Sequence, residues 1–70
     1  MKDFILKTEV EFIPLCDLLK AADLCDSGGE AKHFIADGQV KVDDIVDTRK
    51  RRKVRRGEVV EFKGIKLKVV

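Results

Sequence analysis

The sequence predicts an α+β fold: two short helices packed on a small, mainly antiparallel β-sheet. Three observations predict it. Apolar residues recur at helical spacing in two stretches before Gly38, the period changes to two after it, and short turn sequences divide the second half into strands. Seventy residues hold one domain over residues 1–70, since a chain this short has no room for a second core. It also buries only about 60% of the surface its unfolded form exposes, which argues against a deep catalytic cleft.

Between Lys2 and Ile13, Val10 and Phe12 alternate with Glu9 and Glu11, the pattern of a short edge strand leading into the first helix. Pro14 suits the first turn of a helix, where its missing N–H costs nothing. Leu15, Leu18, Leu19 and Ala22 then form one apolar stripe that ends near Asp23. Ser27-Gly28-Gly29-Glu30 has capping-box spacing: the Ser27 hydroxyl accepts from the Glu30 N–H, and the Glu30 carboxylate reaches back to Ser27. Ala31, Phe34 and Ile35 make a second stripe of about two turns, terminated by Gly38. Val40 and Val42 oppose Lys41, Asp43-Asp44 turns the chain, and Ile45-Val46 pairs back. Gly57-Glu58 leads into Val59–Phe62, Lys63-Gly64 is a hairpin turn, and Ile65, Leu67 and Val69 alternate with Lys66 and Lys68.

Charge supplies the functional argument. The chain has 15 Lys+Arg and 13 Asp+Glu, and charged residues make up 40% of it, against roughly 25% in an average domain. From Arg49 to Arg56 it reads Arg-Lys-Arg-Arg-Lys-Val-Arg-Arg, so seven of eight residues are basic. The remaining 8 Lys+Arg face all 13 acids, leaving an acidic body with one concentrated cationic segment. Like charges packed this tightly repel, which points to an anionic partner, and a phosphate polymer fits best. With no Trp, no Tyr and no aromatic inside the basic segment, stacking on single-stranded bases is disfavoured relative to recognition of shape and phosphate geometry. No long recognition helix supports DNA readout in a major groove.

Four segments in order resemble a known family: Leu15–Lys20 (Leu-Cys-Asp-Leu-Leu-Lys), Ser27–Lys32 (Ser-Gly-Gly-Glu-Ala-Lys), Gly38–Asp43 (Gly-Gln-Val-Lys-Val-Asp) and Lys53–Glu58 (Lys-Val-Arg-Arg-Gly-Glu). Over about residues 8–62 the chain is similar to the RNA-binding domain named after ribosomal small-subunit protein four, the S-four or alpha-L domain, and in particular to its short free-standing bacterial members. The resemblance implies the alpha-L fold and binding of structured RNA, ribosomal or transfer RNA, with the ribosome itself a possible partner. On the resemblance, contacts would come from Ser27, Lys32, Lys41, Arg49, Lys50, Arg51, Arg52 and Lys53, and the charge of the run adds Arg55. Pro14 and Gly28 stand where many members carry basic residues. Asp44 replaces the glycine common in the hairpin turn, which implies an altered turn geometry.

Each feature also has a plainer reading. Ser27 is a helix cap worth about 1 kcal/mol without any ligand. Lys32 can lay its stem along the apolar stripe. Cys16, Cys25 and His33 fall short of a four-ligand zinc site, so the cysteines are read as buried, reduced thiols of a cytoplasmic protein. No cofactor, metal, catalytic residue or small-molecule substrate is expected, and no apolar run suits a membrane span. A monomer is expected, because one small core accounts for the apolar residues. Two alternatives stand beside RNA binding: docking on an acidic protein surface, and nonspecific DNA binding. Reversing Arg51 and Arg52 together to Glu is expected to abolish RNA binding and spare the fold.

Overall fold

The computed structural model describes all 70 residues, Met1–Val70. The chain runs β1 (Lys2–Phe4), β2 (Phe12–Pro14), α1 (Leu15–Ala21), α2 (Gly28–Ala36), β3 (Val40–Val42), β4 (Ile45–Val46), β5 (Lys53–Arg55), β6 (Val59–Phe62) and β7 (Ile65–Val69). Five strands form one sheet in the order β1-β7-β6-β3-β4, and β2 and β5 form a separate antiparallel pair. Every neighbour in the large sheet is antiparallel except β1, which lies parallel to β7 with Lys2 opposite Leu67.

Helix α1 forms because Leu15, Leu18 and Leu19 all fall on one side, and all three are fully buried. It stops at Ala21, two residues before the expected end, and Asp23 beyond it turns left-handed at φ 61°. In α2 the Ser27 hydroxyl accepts from the Glu30 N–H at 3.1 Å, as the spacing requires. The reciprocal half of the expected box is displaced: Glu30 Oε1 accepts from the Asp26 N–H at 3.2 Å, one residue earlier than Ser27. Gly38 terminates the helix at φ 80°.

The tight turns are legible in backbone signs. Asp43 and Asp44 take φ 50° and 67°, and Lys63 and Gly64 take 51° and 79°, the pairs of positive values that type I′ hairpins need. Asp43 also accepts the Val59 N–H on its carboxylate at 2.9 Å, which ties the β3–β4 turn to β6.

Fifteen buried residues, all apolar, make one core that joins α1 and α2 to the inner faces of β3, β6 and β7. Phe62 and Val54 are inside it, and both cysteines are buried free thiols. Two sequence expectations need correction. The stretch Lys2–Ile13 holds two strands where one short edge strand is expected: Phe12–Pro14 leads into α1 and pairs with β5, while Lys2–Phe4 adds a second strand that joins the other sheet beside β7. Nor does the core absorb every large apolar side chain. Met1, Ile5 and Ile45 are more than two-thirds exposed, and Ile45 and Val46 lie on the two-residue edge strand β4, beyond the cover of the helices. No helix is long and apolar enough to cross a membrane.

Candidate nucleic-acid interface

The basic run is built into the fold rather than draped over it. Its last part is a strand, β5, whose central Val54 is completely buried while Lys53 and Arg55 on either side face water. Period-two alternation inside the run therefore divides one anchor from two free cations. Its first part holds the start of α1. Pro14 offers no side-chain cap, and the Leu15 and Cys16 N–H groups donate instead to the carbonyls of Arg52 (2.9 Å) and Lys50 (3.1 Å). Orphan amides of a helix N-terminus need such acceptors. The run supplies them from its backbone, which leaves its side chains for other work.

Those side chains divide into two groups. Arg52 is clasped on both sides: its Nε lies 2.9 Å from Asp47 Oδ2, and an Nη lies 2.7 Å from Glu58 Oε2. Asp47 also takes Arg49, accepting from the Arg49 N–H and Nε at 3.0 Å and from Nη2 at 2.8 Å. Glu58 uses its second oxygen to accept the Arg55 N–H at 2.7 Å. The Arg49 and Arg52 guanidiniums hold the Asp47 carboxyl below its ordinary range, with the Arg49 hydrogen bond the largest influence. The Arg52 hydrogen bond does the same for Glu58. Arg56 donates to the carbonyls of Leu6 and Lys7. The repulsion expected within the run is thus offset partly from inside the molecule, by two carboxylates and two carbonyls. Lys50, Arg51, Lys53 and Arg55 make no ion pair and remain exposed.

Arg49, Arg51, Arg52 and Lys53 together line an open depression of about 520 Å³ that has no apolar residue in its wall. Ser27, Lys32 and Lys41 do not line it. Ser27 caps α2, Lys32 is half-buried on that helix, and Lys41 projects from β3 opposite Val46 and Glu61. The structure also supplies a ring that the sequence did not associate with the run. Phe12 on β2 lies beneath Lys53 (Nζ 5.1 Å from the ring centroid) and Arg55 (5.7 Å), a cation–π platform created by β2–β5 pairing. Only the alternation of Phe12 with Glu9 and Glu11 marked it as a strand residue, and nothing in the sequence said which strand it would meet.

Arg52 is also unsuited to the charge reversal expected above. A glutamate there would join Asp47 and Glu58, putting three carboxylates where one guanidinium now bridges two. His33 stands exposed against the edge of Phe34 at 5.9 Å, and no cluster of three His, Cys, Asp or Glu side chains suited to a metal ion is present.

With this geometry in view, comparison with known proteins identifies the family. The chain is 52% identical over 58 residues to "Putative RNA-binding protein YbcJ" of Escherichia coli K12, covering 83% of each chain. It is 42% identical over 59 residues to "Probable ribosome maturation protein RlbA" of Bacillus subtilis 168, covering 84% of this chain and 83% of that one. The solution structure of E. coli YbcJ, described as revealing an alpha-L motif involved in RNA-binding, superposes with a TM-score of 0.76 at 47% identity, over all of this chain and 87% of that one. The model of the S4 domain matches residues 5–70, and with two helices on a mainly antiparallel sheet the chain belongs to the S4 domain family.

Proposed function

We propose that this protein is a non-catalytic module that binds structured RNA, of the ribosomal or transfer class, by seating phosphates on the β5 strip. The observation that carries the reading is the set of four unpaired, exposed cations, Lys50, Arg51, Lys53 and Arg55, on a backbone fixed by α1 and β2. Arg49 and Arg52 line the same depression with their charge partly satisfied. Ser27, Lys32 and Lys41 are outlying contacts that orient a ligand longer than the strip. Phosphate contacts of this kind position a protein without reading sequence, so the selectivity is for shape. The names of the YbcJ and RlbA relatives agree with RNA and with ribosome maturation as the setting. A cytoplasmic site of action fits the two unpaired thiols.

The test is binding of a labelled RNA stem-loop, with a DNA duplex of matched length and an acidic protein as competitors. Four neutralised phosphates give a log–log salt slope of about −3.6, so affinity falls about 10²-fold between 50 and 200 mM salt. The double variant Arg51→Glu with Lys53→Glu abolishes binding while the circular dichroism spectrum stays native. Unchanged affinity in that variant, or preference for the DNA or the acidic protein, refutes the assignment.

A further inference from the structure

Two carboxylates stand inside the most cationic part of the molecule, and counting charge alone gives them only a harmful effect on a polyanion site. Geometry gives them another. Asp47 spends both oxygens, Oδ1 on the Arg49 N–H and Nε, and Oδ2 on Arg49 Nη2 and Arg52 Nε. Glu58 spends both as well, Oε2 on Arg52 and Oε1 on the Arg55 N–H. Their side chains are 12% and 20% exposed, against 71% for Arg49, so Asp47 lies below the Arg49 guanidinium while Glu58 is sheltered to the same degree as Arg52. Arg52, 21% exposed, spans the two and also donates to the Lys53 carbonyl at 3.2 Å. The result is a closed frame. Backbone bonds to α1 hold residues 50 and 52 from one side, and Asp47 and Glu58 hold Arg52 and the Arg55 amide from the other.

We infer that Asp47 and Glu58 are positioning residues of the RNA interface, fixing Arg52 as a rigid floor from which Arg51 and Lys53 project toward a phosphate backbone. This rests on the RNA reading given above. Fixed cations lose less side-chain freedom on binding than free ones, so a frame of this kind favours affinity even though it adds negative charge. The opposite role is equally definite: acids that occupy arginines needed by the ligand are internal competitors, and removing them frees a phosphate contact.

The two roles separate cleanly in Asp47→Asn and Glu58→Gln. Each raises the net charge by one, and neither amide can replace a carboxylate whose two oxygens both accept. Positioning predicts stem-loop affinity weakened about 3–30-fold with the salt slope unchanged, because no phosphate contact is gained or lost. Arg52→Lys, which keeps the charge but loses the fork, weakens binding comparably. Asp23→Asn, the same charge change at the exposed end of the helical hairpin, does not weaken it. Tighter binding with a steeper slope in Asp47→Asn or Glu58→Gln overturns the inference in favour of competition. Nitrogen-15 relaxation of residues 50–53 and the Arg52 Nε–H resonance give an arm that needs no RNA. Order in the native protein that loosens in both variants supports the frame, and relaxation indifferent to them refutes it. Should the native protein bind no stem-loop at 50 mM salt, the RNA reading falls, and this arm alone decides whether Asp47 and Glu58 set the strip's geometry.

Discussion

The strip Arg49–Arg56 and the Ser27 end of α2 both carry expected RNA contacts, and they are built in opposite ways. The α2 end is local: Ser27 meets Glu30, Glu30 meets Asp26, and every partner lies within four residues. The strip is assembled from a distance. Its backbone holds α1, its ring comes from Phe12, its last arginine reaches Leu6 and Lys7, and Val54 sits in the common core. A local device survives damage elsewhere, whereas a site assembled from afar is only as firm as the whole fold.

The sharpest way to break the comparison is Val54→Asp. An unpaired charge placed in the core between two surface cations costs about 3–5 kcal/mol, enough to unfold a domain this small. Urea denaturation followed by circular dichroism measures it, and a loss below 1 kcal/mol would show that β5 is peripheral to the core. Acid provides the next effect. Asp47 and Glu58 have folded pKa values depressed from ordinary values of 3.8 and 4.5, so their stabilisation is complete above those values and is lost as the pH falls below them through the folded values. Their arginine partners stay charged throughout. The urea midpoint should therefore drop below about pH 4, and less so in the double variant Asp47→Asn with Glu58→Gln. An identical acid limb in both proteins contradicts the frame.

The α2 end should respond more mildly. Ser27→Ala removes one cap bond and costs about 1 kcal/mol, measured in the same urea titration. The smallest effect is a gain: Asp44→Gly relieves a left-handed residue in the β3–β4 turn and stabilises by about 0.5 kcal/mol, while Asp43 keeps its bond to the Val59 amide. A loss there would mean that the Asp44 side chain has a role of its own.

What the sequence disclosed follows the same division. Leu15, Leu18 and Leu19 announce α1 by spacing, Ser27 and Gly38 bracket α2, and Asp43-Asp44 and Lys63-Gly64 place the hairpins, because each depends on residues a few positions apart. The basic run was equally visible, and so was the family. Hidden were the pairing of Phe12 with Arg55, the parallel docking of β1 on β7, and the satisfaction of α1's first amides by the carbonyls of Lys50 and Arg52. Each needs a partner tens of residues away, chosen by the closure of the fold and by no local pattern. Asp47 and Glu58 read simply as two acids bordering the run. Their value as a frame appeared only once Arg52 was seen between them.

The parallel register that sets Lys2 against Leu67 has a consequence for biosynthesis. Helices and hairpins can begin to form as they leave the ribosome, but β1 has no neighbour until Leu67–Val69 have been translated. Closing so long a loop is slow and comes late. A nascent chain halted before Ile65 would leave β1 without its neighbour and β6 open along one edge.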